Sequence, residues 1–250
     1  MHQDGAYPNP EFRTAGESGL IVEFGDKLSF GVNNAAIAFD QLVREAAISG
    51  LVETVPTIRS LLVRFDPLVI HPVEMQARLE QLLGTGDWFS AEPPANRTRW
   101  RVPAVYGGEY GPDLAEVAAL RGVSEQASIE SHSATPLRIL MIGFAPGQAY
   151  LGIHDESWNL PRLAHITPKI AAGSIAVAIR QTVLFPDDSP TGWRVIGRSP
   201  FRSFRPGSER PFPFSPGDEV VFEPVPPADF EGLAERDRNG DLIAVPESIA

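Results

Sequence analysis

The chain of 250 residues contains no cysteine. That removes thiol nucleophiles, thiolate metal sites and disulfide staples together. Both glycine-rich nucleotide loops, G-x-x-x-x-G-K-[ST] and G-x-G-x-x-G, are also missing, so no standard phosphate cradle is expected from this chain alone. Nor is there a G-x-S-x-G nucleophile turn, and no Ser-His-Asp set can be assembled from spacing. Positive charge is scarce: 21 Lys and Arg face 32 Asp and Glu, a formal net charge of −11. Nucleic acid and anionic membrane surfaces would repel such a protein, so neither is an expected partner. No apolar run approaches the roughly 20 residues that span a bilayer. The opening MHQDGAYPNPEFRTAGESG has no basic segment followed by an apolar one; no secretory signal is expected, and the cytoplasm is the expected compartment.

Glycine and proline are plentiful, at 22 and 24 residues, and they punctuate the chain. Residues 1–15 read as a disordered leader. Residues 20–24 and 28–32 read as short strands around Gly25-Asp26. Asn33 or Asn34 then offers an N-cap to a helix carrying Ala36, Phe39, Val43 and Ala46 at helical spacing, with Gly50 as its left-handed terminus. Leu61, Val63 and Phe65 alternate with polar or outward positions as in a half-buried strand. Pro72 suits the first turn of a second helix running through Met75, Leu79, Leu82 and Leu83 to Gly84. The polar, turn-rich SAEPPANRT of residues 90–98 marks a domain boundary.

Beyond it, Pro112 opens and Gly122 closes a helix, and Ser124 caps another. Strands are expected at residues 137–142, 173–179, 182–185, 193–197 and 218–222, a spacing that suits a closed or sandwiched β structure. The reading is therefore an α+β chain: an N-terminal α/β domain at 16–95, a β-barrel domain at 96–228, and an acidic tail at 229–250. The tail lacks periodicity and reads as loosely attached beyond Phe230.

The stretch 143–199 carries most of the chemistry. GFAPGQAYLG sets Phe144 and Pro146 in a Gly-Pro-Gly turn ahead of Tyr150, while Arg162, Gln181, Trp193 and Arg198 follow between further glycines and prolines. Two guanidinium groups, an amide and a phenol suit a small acid or amide, because guanidinium forks hold carboxylates bidentately. The alternative is that these side chains pin loops together. YGGEYGPDL brings Tyr106, Gly107 and Asp113 to a helix start, which is either an anion site or a self-capped terminus. His132, flanked by Ser131 and Ser133, is a candidate general base or a structural histidine. His154, Asp155, Glu156 and His165 lack metal-ligand spacing and read as a solvated turn, so no metal is expected. Asp237, Asn239 and Asp241 imitate the start of a calcium loop, but Leu242 and Ser248 stand where Gly and Glu are required.

Ten pieces, in this order, run from Gly25 to Pro224: GDKLSFGVNNAAIAFDQLVR, RFDP, YGGEYGPDL, SHS, GFAPGQAYLG, NLPRL, AAGSIAVAIRQT, SPTGW, VIGRSP and PGDEVVFEP. Together they resemble the family of B-type 5-oxoprolinase subunits, also known as allophanate hydrolase subunit 1, which includes the Kip sporulation-kinase inhibitors. The resemblance implies a small ferredoxin-like α/β domain followed by a cyclophilin-like β-barrel. It also implies work beside a partner of the allophanate hydrolase subunit 2 type, equivalent to the C-type 5-oxoprolinase subunit, with a third 5-oxoprolinase subunit. The implied reaction is ATP-dependent opening of the 5-oxoproline lactam to glutamate, with ATP bound by or with the partners and this chain inactive alone. On that reading His132, Tyr150 and Arg162 are the catalytic candidates. Tyr106, Gly107, Asp113, Phe144, Pro146, Gln181, Trp193 and Arg198 bind substrate. Two alternatives remain: a regulator that inhibits a sensor histidine kinase, and a component of a urea- or allophanate-type enzyme. This sequence departs from the family pattern at Gln148, Ile170-Ala171, Ile179-Arg180, Thr191 and Arg205.

Overall fold

A computed structural model of the chain describes residues 5–249. The chain divides into two compact units, one ending at Ala95 and the other starting at Asn96.

In the first unit, β1 (Ala6–Thr14), β2 (Gly19–Gly25), β3 (Leu51–Pro56) and β4 (Ser60–Phe65) form an antiparallel sheet in the order β1-β2-β4-β3. Helix α1 (Phe30–Glu45) crosses from β2 to β3 and α2 (Pro72–Leu83) follows β4. Their apolar faces bury Phe39, Val43, Met75 and Leu79 against Phe24, Leu61 and Val63. A full ferredoxin-like sheet would place a strand after α2 beside the first strand of the β-α-β-β-α run. Here that edge, beside β2, is held by β1, which precedes the run.

Four expectations need correction here. Residues 28–32 are no strand, because Ser29 caps α1 by accepting from the Val32 amide at 3.2 Å. Asn33 and Asn34 are instead buried helix residues whose amides reach the Ile58 and Ala91 carbonyls at 3.1 and 2.9 Å. Helix α1 ends at Ala46, and Gly50 is left-handed (φ 85°) in the link to β3. The leader is ordered over Ala6–Thr14, where Arg13 pairs with Glu23 across the sheet; residues 1–4 lie outside the described residues.

The second unit is built on β5 (Arg97–Tyr106), α3 (Leu114–Arg121), α4 (Glu125–Ala134), β6 (Leu137–Ile142), β7 (Ala149–Gly152), β8 (Thr167–Ile170), β9 (Ser174–Ala178), β10 (Gln181–Leu184), β11 (Ser189–Thr191), β12 (Arg194–Arg198), β13 (Glu219–Pro224), α5 (Phe230–Arg238) and β14 (Val245–Ile249). The sheet runs β12-β9-β10-β7-β6-β13-β5, and β5 pairs back to β12, closing a seven-stranded barrel. Strands β8 and β11 form a separate ribbon. Alternation sorts side chains into two sets. Ile139, Leu151, Val177, Leu184, Ile196 and Phe222 fill the interior. Ala176, Val183, Trp193 and Val195 form a second cluster on the other face, with Tyr150 packed against it.

Strand β5 escaped the sequence reading because Val102-Pro103-Ala104-Val105 is continuously buried and contains proline, which argues against a central strand. The pairing explains the tolerance. On one side β14 pairs with β5 up to Arg101, and β12 takes over at Val105. Pro103 falls between them, where the ladder on that side is interrupted and a missing N–H costs little.

The tail is a further correction, since it is not loose. Helix α5 follows Pro227 and β14 pairs with five residues of β5. Asp237 is fully buried and accepts from Arg202 Nε at 2.6 Å and Arg205 Nη1 at 2.9 Å. Arg205 is one of the positions at which the sequence departs from the family pattern, and its countercharge comes from the tail.

Two stability outcomes follow from these contacts. Asp237→Ala leaves buried Arg205 without its countercharge and is expected to cost about 3–5 kcal/mol, read by urea unfolding. The β9–β10 turn holds Ile179 at φ 44° and Arg180 at φ 63°. These left-handed conformations cost ordinary residues about 1–2 kcal/mol each, so Ile179→Asn is expected to raise stability by about 1 kcal/mol in the same assay.

Candidate functional site

The barrel interior holds a chain of polar groups. The Tyr106 hydroxyl, at the end of β5, lies 2.8 Å from His132 Nδ1 on α4. His132 Nε2 lies 3.0 Å from Thr182 Oγ1 on β10, and His154 Nε2 reaches the same oxygen at 2.8 Å. A threonine hydroxyl carries one proton, so Thr182 donates to one imidazole and accepts from the other. The two rings are therefore opposite in role at Nε2, and the four residues form a directed hydrogen-bond chain. Aromatic faces enclose it: His132 stacks on Phe222 and His154 on Trp158, with Arg121 3.8 Å over the same indole.

Burial keeps both imidazoles neutral. It drives His132 well below the ordinary histidine range, reinforced by the repulsion that His154, once protonated, and Arg121 would exert on a second imidazolium. It lowers His154 to about 4, with Asp155 opposing and Arg121 and Arg180 assisting. Burial likewise pushes the Tyr106 hydroxyl up. The structure gives His132 no exposed surface, so it orients Thr182 and Tyr106 from within. His154 corrects the sequence reading: Asp155 and Glu156 do open a turn, but His154 beside them is buried. No local pattern in His-Asp-Glu distinguishes that arrangement from a solvated loop.

The opposite face of the same strands gathers a second group. On β7 and the residue before it, Gln148 and Tyr150 point to one side, and the Gln148 amide lies 3.0 Å from the Tyr150 hydroxyl. Tyr150 packs edge-on to Trp193 at 6.2 Å, and Arg162 lies 5.7 Å over that indole. Gln181 shares the face, one pairing step along from Val183, which stands opposite Tyr150. Burial raises the Tyr150 hydroxyl, opposed by Gln148 and by the Arg162 charge. Both amides are buried and incomplete: Gln148 Oε1 and Gln181 Nε2 have no hydrogen-bond partner. Turning the Gln148 amide over only exchanges which of its atoms is left unmet. Buried unpaired amide atoms cost about 1–3 kcal/mol each, so this face carries unmet polarity at Gln148, beside Tyr150, and at Gln181 on the paired strand. Sequence reasoning grouped Tyr150, Arg162, Gln181, Trp193 and Arg198; the first four come to this face, whereas Arg198 turns to Ala172 and Phe230, and Gln148 entered only as a departure from the family pattern.

The remaining candidates lie elsewhere. The Asp113 carboxylate accepts from the Val195 amide at 2.7 Å and makes no cap bond to α3, so it ties that helix start to β12. Gly107 is left-handed and its amide donates to the Ile196 carbonyl at 3.1 Å. Phe144 stands largely exposed in the β6–β7 turn with φ 75°, near Pro146. Arg198 sits at the end of β12 and donates to the Ala172 carbonyl at 2.7 Å. Among the described residues no cluster of three His, Asp or Glu side chains is placed to hold a metal, and no helix is long and apolar enough to cross a membrane.

Comparison with known proteins gives a consistent set of likenesses. Residues 10–214 match the carboxyltransferase domain family, subdomain C and D. The B-type 5-oxoprolinase subunit of Bacillus subtilis (strain 168) is 31% identical over 230 residues, covering 88% of this chain and 95% of that protein. Among solved structures, TTHA0988 is 31% identical with a TM-score of 0.71 over 83% of this chain, which spans only 40% of that longer chain. The Kluyveromyces lactis urea carboxylase shares the fold at a TM-score of 0.81 and 16% identity, over 98% of this chain and 25% of its own.

The neutral imidazoles have a measurable consequence. Unfolded histidine takes up its proton near 6.5, whereas folded His154 does so near 4. The unfolded chain therefore binds more protons between these values, and stability falls as pH drops from about 6.5 towards 4. Imidazole NMR is expected to show His154 neutral down to about pH 4 and His132 neutral well below the ordinary histidine range. Thr182→Val should disturb the signals of both rings at once.

Proposed function

The chain belongs to the carboxyltransferase domain family, subdomain C and D, alongside relatives named as the B-type 5-oxoprolinase subunit, and from that premise we propose that it is the corresponding component of an ATP-dependent 5-oxoprolinase. A five-membered lactam is a stable amide, and its hydrolysis is slow without activation. Phosphorylation of the lactam oxygen supplies a better leaving group, and this chain, with no nucleotide loop of its own, relies on partner subunits to hold ATP. Those partners are a protein of the allophanate hydrolase subunit 2 type, equivalent to the C-type 5-oxoprolinase subunit, and a third subunit.

The observation that carries the reading is the Gln148–Tyr150–Gln181 face. One unmet amide atom belongs to Gln148, whose amide meets the Tyr150 hydroxyl, and another to Gln181 on the paired strand; a lactam offers one N–H and one C=O to such groups. Tyr150 then hydrogen-bonds the lactam or the oxygen formed from it, and Arg162 supplies a positive charge where negative charge develops. Trp193 fixes both by its ring contacts. The interior Tyr106–His132–Thr182–His154 chain backs the same β10 strand and holds it in register.

The test is coexpression with the neighbouring subunit genes, purification, and an assay for ATP-dependent release of glutamate from 5-oxoproline. Turnover that requires this chain is expected. Tyr150→Phe and Arg162→Ala should each lower kcat/KM about tenfold or more, the loss of one charge-assisted hydrogen bond. Arg162 is exposed, so its variant should fold normally. A complex that forms and turns over nothing would refute the substrate, and full turnover by both variants would remove this face from the mechanism.

A further inference from the structure

A cleft of about 180 Å³ lies at the barrel rim, between the end of β12 and helix α5. Three arginines line it, Arg198, Arg202 and Arg238, against one carboxylate, Glu231. In a chain whose net charge is −11, such a concentration of guanidinium groups stands out.

The arginines are not equally committed. Arg202 spends Nε and Nη2 on Asp237, at 2.6 and 2.7 Å. Arg198 uses only Nε, on the Ala172 carbonyl, and its guanidinium lies 5.0 Å over the Phe230 ring. That combination fixes the plane of the fork and leaves its two terminal nitrogens free of any hydrogen bond among the described residues. Asp188, whose carboxylate feels the Arg198 charge, is already engaged with Lys169 at 2.8 Å and the Ala172 amide at 2.9 Å. Arg238, exposed at the end of α5, has no ion pair among the described residues.

We infer that this cleft binds a small carboxylic acid, its carboxylate held by the Arg198 fork and by Arg238. A rigid, stacked guanidinium with both terminal N–H groups unspent matches a carboxylate in two parallel hydrogen bonds. The size argues the same way. About 180 Å³ is the share of roughly six waters, whereas drug-sized and cofactor ligands occupy roughly 300–1,000 Å³. Helix α5, which closes one side of the cleft, lies beyond residues 10–214 that match the family model. The cleft stands apart from the Tyr150 face and does not depend on the 5-oxoprolinase reading.

Calorimetric titration of the full chain alone tests it, with 5-oxoproline, glutamate, acetate and inorganic phosphate as probes. Saturable binding of at least one of the three carboxylic acids is expected, tighter than that of phosphate. Arg238→Gln, at an exposed position, should weaken it about tenfold, the loss of one charged hydrogen bond, with an unchanged Tm. Glu231→Gln should tighten it by removing the opposing charge at the rim. No saturable binding, a preference for phosphate, or binding indifferent to both variants overturns the inference. Because the readout is binding to this chain without partners, failure here leaves the turnover assay untouched, and failed turnover leaves this result standing.

Discussion

Closure of the barrel at the β5–β12 seam is the constraint on which the second unit depends. An open seven-stranded sheet would have two edges and no defined inside. Here the Gly107 amide donates to the Ile196 carbonyl at 3.1 Å and the Asp113 amide to the Val195 carbonyl at 3.0 Å. Glycines permit that approach: a Cβ on Gly111 would lie 2.0 Å from the Ile196 carbonyl oxygen, and one on Gly197 2.7 Å from that of Val105. Neither site tolerates a larger residue without displacing backbone. Once the seam is shut, the alternation of each strand has a fixed meaning. Thr182 points in to the two imidazoles, and its neighbours Gln181 and Val183 point to the face that carries Tyr150.

The same closure organises the tail. Strand β5 is longer than the seam requires, and its first half is free to accept β14. That returns the chain to the barrel and lays α5 against the rim, where Asp237 balances Arg202 and Arg205. The rim cleft exists because of this addition. A family scaffold thus carries one polar face built from its own strands and one cationic cleft completed by an element outside the family match.

Legibility in the sequence followed the range of the interactions. Helix α2, the Ser124 cap and the left-handed Gly122 were readable because each is decided within a few residues. Strands β1, β5 and β14 were not, because they owe their order to partners far along the chain. His154 looked like part of a solvated turn, and only the fold brings Thr182 and Trp158 around it. The Arg205–Asp237 pair left a trace that could have been followed: an unexpected cation and an extra acidic segment in one sequence invite pairing. Tyr150, Arg162, Gln181 and Trp193 emerged from their setting among glycines and prolines and from the family resemblance. The unmet amide atoms beside them are visible only with side chains in place.

If the seam governs the unit, the amides of Gly107 and Asp113 should be among its slowest to exchange, opening only when the whole barrel unfolds. Native-state hydrogen exchange across a denaturant series measures this directly. The account predicts that both seam amides merge with the exchange of interior Ile139 and Val177 at the global unfolding free energy. Seam amides that exchange through a local opening, while the interior strands stay protected, would contradict it.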